Sequence, residues 1–399
     1  MKDNVYSLET NIFRAGEKIL ISKDGHVKLP VPFDSEQEAL FVKTENIYKV
    51  IPLLPDVKKI YVEVTTQCNF LCITCIRNNW NEDIGHMEWE TFEEFLNSLK
   101  GLPYLETVHF GGFGEPFSHP RIFDMLEAVK SLGLKVEIIT NGSLLTDTVI
   151  KKLAGLRLDM IYVSLDGPDE AEYNEIRQGA DFNNVLGNVR KLNRIKKELG
   201  VSKPELGIEF VAMKKNFHKL PKLMRLAWEM KVRTVIVTNL LPYHETLKDE
   251  IVYDIDDTGN LFGNESWLID LQAQMPYMKL RTERYCKFIQ DKSLCVNFRG
   301  DVSPCYALMH SYRCFIYGRK KEIIPCYLGN INMKTLKEIW TEPGYIKFRF
   351  AVKNFMFPSC TDCKFLEGCS MADDNEMDCW GNSPSCAECL WSRKIIACP

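Results

Sequence analysis

The sequence predicts an α/β protein whose centre is a partial (βα)6 barrel, with a β-rich segment before it and a cysteine-rich domain after it. A chain of 399 residues is long enough for two or three folded units of ordinary size. Short apolar, β-branched runs alternate with amphipathic stretches between residues 60 and 240, which is the pattern of βα units. Of the 15 cysteines, all but three lie from Cys286 onward. We therefore expect four regions: 1–57, 58–240, a bridging region at 241–285, and 286–399.

Charge and composition exclude several classes of protein. Fifty Lys and Arg residues against 54 Asp and Glu give a net charge of -4, too balanced for a chain whose main partner is nucleic acid or an anionic membrane. No run approaches the roughly 20 apolar residues that span a bilayer, and the N-terminus lacks the apolar core of a signal peptide. We expect a cytoplasmic protein with neither a membrane nor a nucleic acid as its partner.

The first 57 residues contain one clear hairpin signal. KILIS at 18–22 and HVKLP at 26–30 flank Asp24-Gly25, a dipeptide that favours the tight turn between antiparallel strands. We expect this segment to be rich in β-structure.

Six candidate strands follow, separated by amphipathic stretches. They are 61–66, 107–112, 135–140, 161–166, 207–213 and 234–240. Strands that alternate with helices form right-handed βαβ units and a parallel sheet. Because the alternation stops at residue 240, short of the eight units of a complete barrel, the sheet is either an open partial barrel or a doubly wound sheet. Both arrangements place the functional site at the carboxyl ends of the strands.

The bridging region contains one pattern that resembles a calcium-binding loop. Asp254, Asp256, Thr258, Gly259 and Glu265 match five positions of an EF-hand loop. No paired second loop exists in the sequence, so we favour a solvated acidic loop before a helix at 266–275.

Three cysteines, Cys68, Cys72 and Cys75, directly follow the first strand of the barrel region. Three thiolates on one loop can hold three irons of a [4Fe–4S] cluster and leave the fourth iron open for a ligand. The same spacing also suits a zinc site that takes a distant fourth ligand, or three buried cysteines. The spacing alone leaves these alternatives open.

In its CxxxCxxC motif and six βα units, the region 58–240 resembles the radical S-adenosylmethionine (SAM) superfamily. The resemblance implies that the open iron binds the amino and carboxylate groups of SAM. It also implies that an electron from the cluster splits SAM into methionine and a 5′-deoxyadenosyl radical. The residue before the last cysteine of the motif is often aromatic in this family and is Thr74 here.

The same resemblance implies a set of SAM-binding residues at successive strand ends. The glycine-rich loop after the second strand corresponds to the loop that meets the methionine amino group. Arg177 corresponds to an arginine that pairs with the SAM carboxylate. The polar residues at the ends of the third and fourth strands correspond to positions that help to hold SAM. Taken individually, the loop could equally be a turn without a ligand and Arg177 a surface residue. The implied contacts are Gly111, Gly112, Gly114, Glu115, Asn141, Ser164 and Arg177.

The cysteine-rich C-terminal region has too little apolar periodicity for a large hydrophobic core. We therefore expect bound metal to stabilise its fold. Its CxxC pairs suit zinc or iron–sulfur equally. Behind the barrel, the pattern resembles the SPASM extension, which implies one or two auxiliary [4Fe–4S] clusters. The expected ligands are Cys286, Cys305, Cys360, Cys363, Cys369, Cys379, Cys386, Cys389 and Cys398.

The resemblance also implies how these cysteines pair. One cluster takes Cys286, Cys305 and Cys379, with Cys295 as a candidate fourth ligand. Cys379 enters this set because Asp373 stands where the family pattern has a cysteine, and thiolate suits an iron–sulfur cluster better than carboxylate. The other cluster takes the triplet Cys360, Cys363 and Cys369 with one of Cys386, Cys389 or Cys398. Cys314 and Cys326 are expected to be buried small apolar residues.

The ending DCWGNSPSCAECLWSRKIIACP resembles that of maturases associated with tungsten-containing aldehyde oxidoreductases. The implied function is a radical SAM/SPASM maturase that modifies such an oxidoreductase or its pterin cofactor, with a reductant such as ferredoxin or flavodoxin. One alternative keeps the chemistry and takes a ribosomally made precursor peptide as substrate. Another is a zinc-binding or iron–sulfur protein without catalytic activity.

Overall fold

A computed structural model describes residues 53–253 and 284–398 in full, and elsewhere only the strands named here. In the N-terminal segment, β1 (Leu20–Ile21) pairs antiparallel with β2 (Val27–Lys28), and β3 (Ala39–Thr44) with β4 (Ile47–Pro52). The pairing of β1 with β2 confirms the predicted hairpin, although its turn, Asp24-Gly25, lies outside the described residues.

Six parallel strands form the centre of a ten-stranded sheet, as the alternating pattern predicts. They are β5 (Lys59–Val62), β6 (Thr107–Phe110), β7 (Lys135–Thr140), β8 (Met160–Ser164), β9 (Glu205–Ala212) and β10 (Thr234–Asn239). Their order in the sheet follows their order in the chain. A doubly wound sheet reverses its strand order at a switch point, so the sequential order identifies the open partial barrel.

Helices connect these strands and cover the sheet. They are α1 (Trp89–Leu99), α2 (Ile122–Ser131), α3 (Asp147–Gly155), α4 (Glu170–Ile176), α5 (Phe182–Glu198) and α6 (Leu220–Glu229). Two begin at side-chain caps: Thr146 accepts a hydrogen bond from the Val149 N–H, and Asp181 accepts one from the Asn184 N–H. Their apolar faces and the outer faces of the strands form one buried core.

One edge of the sheet departs from the sequence prediction. Strand β11 (Gln272–Gln274) pairs parallel with β10, so the helix predicted over 266–275 is wrong for these three residues. In parallel pairing the β10 edge satisfies their backbone groups, which local sequence periodicity cannot show. The calcium-loop pattern at 254–265 lies outside the described residues.

At the other edge, the cysteine-rich region continues the barrel sheet. After the short helix α7 (Lys287–Gln290), β12 (Ser293–Val296) pairs parallel with β5, and β13 (Asp301–Ser303) pairs antiparallel with β12. Gly300 makes the turn between them at a φ of 85°, a conformation that favours glycine. This continuity fixes the cysteine-rich region against the first strand of the barrel.

The remaining elements of the C-terminal region are short. They are the hairpin β14 (Tyr312–Ile316) and β15 (Arg319–Ile323), the edge strand β16 (Gly329–Asn330), and helices α8 (Leu336–Thr341) and α9 (Pro343–Lys353). A capping box of Thr335 and Glu338 begins α8. Trp340 of α8 donates from Nε1 to the Asp56 carboxylate at 2.8 Å, which ties this region to the start of the barrel. Within the described residues, no helix is both long and apolar enough to cross a membrane.

Candidate active site at the carboxyl ends of the strands

A cavity of the described structure lies at the carboxyl ends of the barrel strands, where both predicted arrangements place the site. Its space amounts to about 1210 Å³, open solvent at its mouth included. The loops after β6, β7 and β8 line it, and so do the three cysteines of the first motif.

Backbone contacts and one arginine hold the loop that carries Cys68, Cys72 and Cys75. Arg77 donates from its guanidinium to the carbonyls of Thr66 (3.2 Å) and Phe70 (2.9 Å), so it spans the first half of the loop. The Leu71 and Ile73 N–H groups donate to the carbonyls of Gln178 and Ile176 at the end of α4. A loop fixed on both sides presents its thiols to the cavity in one arrangement.

The three thiols fit an iron–sulfur cluster better than a zinc ion. All three line the cavity as free cysteines, and burial raises the pKa of Cys72 to about 11. Among the described residues, no three His, Cys, Asp or Glu side chains meet closely enough to hold a single metal ion. Ligands of one zinc lie about 2.3 Å from the metal, whereas the thiolates around a four-iron cube stand further apart.

The glycine-rich loop after β6 packs tightly against the first strand of the barrel. Gly112 has a φ of 138°, and a Cβ there would lie 2.5 Å from the Glu63 carboxylate. A Cβ on Gly114 would lie 2.2 Å from the carbonyl oxygen of Thr65. The Phe113 N–H donates to Glu63 at 2.8 Å. Only glycine fits at these two positions, and the loop is thereby held at the rim of the cavity.

Glu115 and Asn141 line the cavity, but their side chains form hydrogen bonds with other groups of the protein. Glu115 is buried and accepts hydrogen bonds from the Thr140 hydroxyl and from the N–H groups of Asn141 and Phe117. Burial raises the pKa of Glu115 to about 7 despite these donors. Asn141 donates from Nδ2 to Asn69 at 2.9 Å, beside Cys68. Both side chains therefore brace the site, a role that the motif did not predict.

Arg177 is not a surface residue. Its side chain is buried, its Nε lies 2.8 Å from the Asp166 carboxylate, and its Nη1 lies 4.0 Å from Cys72 Sγ. The guanidinium thus borders the cavity while its inner edge is held by a fully buried carboxylate. Ser164, at the end of β8, lines the same cavity.

The C-terminal cysteines fall into groups that differ from the predicted pairing. Burial raises the pKa of Cys305, and the nearby thiols of Cys389, Cys286, Cys295 and Cys386 raise it further. Cys305, Cys386 and Cys389 also line one cavity. Cys386 and Cys389 therefore lie near Cys286 and Cys305.

Cys379 is exposed and lies near Cys360 and Cys369 of the triplet. Burial raises the pKa of the Cys360 thiol to about 11, and the nearby thiols of Cys379 and Cys369 contribute to the rise. Asp378 sets this arrangement because it accepts hydrogen bonds from the N–H groups of Trp380 and Asn382 and closes a tight turn.

Cys398 borders the catalytic cavity and packs against the same buried cluster as Cys286 and Cys305. The chain before it crosses the end of β10, where the Ala397 N–H donates to Thr238 Oγ1 at 2.9 Å and Asn239 donates to the Ile395 carbonyl. Trp391 donates from Nε1 to Cys398 Sγ at 3.2 Å. Cys295 and Cys314 are buried and Cys326 is partly buried.

Sequence reasoning missed several residues that build the site. Arg77, Glu63, His310, His109 and Glu209 belong to none of the motifs used above, and their roles arise from contacts between distant segments. The inward side of β6 and β9 could have indicated His109 and Glu209, because polar side chains inside a barrel have few reasons to be there other than function.

Comparison with known proteins decides the family. The model of the radical SAM superfamily matches residues 62–227, and that of an iron–sulfur cluster-binding domain, SPASM, matches residues 286–364. The tungsten-containing aldehyde ferredoxin oxidoreductase cofactor-modifying protein of Pyrococcus furiosus is 39% identical over 346 residues, which are 86% of this chain and 97% of that protein. The chain belongs to the radical SAM superfamily. Membership implies a [4Fe–4S] cluster and SAM as cofactors, and the SPASM domain implies auxiliary iron–sulfur clusters.

One more distant sequence relative and two solved structures are also similar to this chain. An AdoMet-dependent heme synthase of Methanosarcina barkeri is 22% identical over 328 residues, 77% of this chain and 88% of that protein. Streptococcus suis SuiB bound to S-adenosylmethionine superposes with a TM-score of 0.56 at 19% identity, over 80% of this chain and 73% of SuiB. The anSMEcpe structure with bound AdoMet and Cp18Cys peptide gives 0.58 at 18% identity, over 86% and 96% of the two chains. At these identities the two structures support the fold alone.

Proposed function

We propose that this radical SAM/SPASM protein cleaves SAM reductively at a [4Fe–4S] cluster held by Cys68, Cys72 and Cys75. The observation that carries this proposal is the placement of Arg177 beside these thiols in one cavity, with Nη1 4.0 Å from Cys72 Sγ. A planar guanidinium beside thiols that would hold the cluster suits the carboxylate of SAM.

When bound, the cluster supplies the electron that cleaves SAM to methionine and a 5′-deoxyadenosyl radical. The residues of the chain hold and orient the reactants. Arg177, fixed by Asp166 at 2.8 Å, binds the SAM carboxylate. The loop from Gly111 to Glu115 offers backbone groups to the amino group, Ser164 supplies a further polar contact, and Asn141 holds the loop of Cys68 through Asn69. Because the arginine is held before SAM arrives, little of its side-chain freedom is lost on binding.

The aromatic side chains around the cavity protect a radical from solvent. Phe113, Tyr306 and Trp391 all line it, and Tyr306 packs edge-on against Phe113 with ring centroids 6.0 Å apart. A dry, apolar wall limits side reactions of reactive intermediates. Substrate is proposed to meet the radical beside this apolar wall.

Eight C-terminal cysteines are proposed to hold two auxiliary clusters, four to each. Cys286, Cys305, Cys386 and Cys389 form the inner set, and Cys360, Cys363, Cys369 and Cys379 form the outer set. Thiolate is the donor that iron–sulfur clusters require, and each set offers four. The electrostatic coupling among the buried thiols supports the inner set. Cys398, a sequence-based candidate, is left free at the catalytic cavity.

The proposed substrate is a tungsten-containing oxidoreductase or its pterin cofactor. The 39% identity to a cofactor-modifying protein, over nearly the whole length of both chains, supports this choice. A ferredoxin or flavodoxin is the proposed electron donor.

Electron paramagnetic resonance of the anaerobically purified, dithionite-reduced protein tests the SAM proposal. We expect a cluster signal that changes when SAM is added, and its loss in Cys72→Ala. The matched control is Cys314→Ala, a buried cysteine outside the first motif, which should keep the SAM-sensitive signal. Cluster signals indifferent to SAM would leave an electron-transfer or structural protein as the better interpretation.

A separate experiment tests the substrate. A tungsten oxidoreductase from cells that lack this protein is incubated with the protein, SAM and a reductant, and its extracted pterin is analysed by mass spectrometry. We expect a mass change in the pterin or in a peptide of the oxidoreductase that requires Cys72. An unchanged pterin and unchanged peptides, with SAM cleaved normally, would redirect the search to a precursor peptide.

A further inference from the structure

Two polar side chains that line the catalytic cavity have no role in the proposed binding of SAM. His109 on β6 and Glu209 on β9 both point to the inside of the barrel and line the cavity. Behind His109 lies an ion pair in which Lys59 Nζ is 2.7 Å from the Glu137 carboxylate. We call His109 and Glu209 the barrel floor.

His109 presents a hydrogen-bond acceptor to the cavity. Its Nδ1 lies 3.2 Å from the Glu137 carboxylate, which only accepts, so Nδ1 carries the proton. Burial lowers the pKa of His109 to about 4, so the ring is neutral and Nε2 bears a lone pair. Nε2 is fully buried and has no hydrogen-bond partner in the described structure. A Cβ on Gly111 would lie 2.8 Å from it, so the Gly111 backbone packs directly beside this unpaired acceptor in the lining of the cavity.

Glu209 presents a carboxylate to the same space. It pairs in register with Ser164 of the neighbouring strand, and no side chain in the described part of the molecule donates a hydrogen bond to it. The two nearest cations are already engaged: Arg177 with Asp166, and Lys287 with the Cys398 carbonyl at 2.9 Å. Burial raises the pKa of Glu209 to about 7, so the carboxylate form predominates above neutral pH. A partly buried carboxylate without a partner is costly, and a ligand that donates hydrogen bonds relieves that cost.

The chemistry of the floor selects its ligand. Above pH 7 the Glu209 carboxylate and His109 Nε2 are both acceptors, which repel a phosphate or carboxylate and attract N–H groups. A carboxylate has two oxygens that match two adjacent N–H donors, as in its pairing with guanidinium. Tyr306 and Trp391 line the cavity beside the floor and supply flat apolar faces for a ring.

We propose that Glu209 and His109 bind the substrate through a ring edge with adjacent N–H donors, such as the 2-amino-4-oxopyrimidine edge of a pterin. The inference rests on the proposed function and deepens it, because it names the part of the pterin that the protein recognises. Glu209 accepts from the 2-amino group and the neighbouring ring N–H, and His109 Nε2 accepts a further N–H. The pterin ring then lies beside SAM in the catalytic cavity.

Equilibrium dialysis under anaerobic conditions tests this with cluster-loaded, SAM-saturated protein. The probes are 6-hydroxymethylpterin and 6-hydroxymethyllumazine, in which oxygen replaces the 2-amino group. We expect the wild type to bind the pterin at least about 10-fold more tightly, because the lumazine oxygen faces the carboxylate. Glu209→Gln should abolish this preference. Glu205→Gln, on the same strand and outside the cavity, should retain it.

Three results would overturn the inference. In the first, the wild type binds the pterin and the lumazine equally well. In the second, it binds neither. In the third, Glu209→Gln loses as much affinity for SAM as for the pterin, which would assign the residue to SAM binding. Failure of the proposed function is a distinct result. A wild type that prefers the pterin but never cleaves SAM would contradict the radical chemistry and leave the floor intact.

Discussion

The Nε2 atom of His310 lies 2.7 Å from the Glu63 carboxylate, and both side chains are completely buried. The other ring nitrogen, Nδ1, lies 2.8 Å from Glu82. Two carboxylates thus hold one imidazole, and they come from the barrel while the histidine comes from the SPASM region. Because Glu63 also accepts from the Phe113 N–H, the contact connects the cysteine-rich region to the glycine loop of the SAM site.

Replacing His310 with Gln should destabilise the protein most at mildly acidic pH. Burial opposes the charge, but Glu63 and Glu82 raise the pKa of His310 to about 9. A folded-state pKa above the ordinary value of 6.5 means that the stabilisation is complete below pH 6.5 and is lost as the pH rises through 9. We expect about 3 kcal/mol of destabilisation near pH 6, since a buried carboxylate loses its partner. Urea unfolding of cluster-loaded protein from pH 6 to 10 measures it.

His218→Gln is the matched control because His218 is exposed. It should leave the urea midpoint unchanged across the same pH range. A difference between wild type and His310→Gln that grows above pH 9 would contradict a charged imidazole between two carboxylates.

The contact between His310 and Glu63 also shows where prediction from sequence ends. The six strands and their parallel order follow from local periodicity, and the first cysteine motif follows from spacing on one loop. His310 and Glu63 are 247 positions apart, and no pattern in either segment indicates the other. Contacts of this kind depend on β12 pairing with β5, which is a property of the whole sheet.

Arg177→Lys should weaken SAM binding by roughly 10- to 100-fold while the protein stays folded. A lysine can meet Asp166 or a SAM carboxylate, but its single ammonium lacks the fork that lets Arg177 meet both at once. Isothermal titration of SAM into anaerobic, cluster-loaded protein measures the affinity. The control is Arg190→Lys on the exposed side of α5, which should bind SAM like the wild type. Unchanged affinity in Arg177→Lys would remove the arginine from the SAM site.

The two auxiliary cysteine sets predict different losses of iron. Cys389→Ser and Cys360→Ser should each lose about four irons per chain, because each breaks a different four-thiolate set. Cys398→Ser should lose none, since Cys398 borders the catalytic cavity. Iron analysis with Mössbauer spectroscopy of the three variants measures this. Loss of a complete cluster in Cys398→Ser would return that residue to the ligand set that the sequence suggests.

The grouping of the C-terminal cysteines is a second feature that the sequence alone does not predict. The sequence predicts thiolate ligands in this region, whereas the pairing proposed for them depends on the turn that Asp378 closes. That turn separates Cys379 from Cys386 although they are only seven positions apart in the chain. Spacing in the chain therefore limits which thiols can meet but does not choose among them.

Gly112→Ala should destabilise the protein by about 2 kcal/mol or more and weaken SAM binding with it. Two separate costs add: a φ of 138° is strained for any residue with a Cβ, and that Cβ would lie 2.5 Å from the buried Glu63 carboxylate. Since Glu63 cannot move without leaving His310, the loop itself must shift, and with it the backbone groups proposed to meet the SAM amino group. Gly187→Ala, in α5 with nothing within 4 Å of its added Cβ, should instead stabilise the protein slightly. Urea unfolding and SAM titration of both variants measure the contrast. A Gly112→Ala protein as stable as Gly187→Ala would mean that the loop does not rest on Glu63.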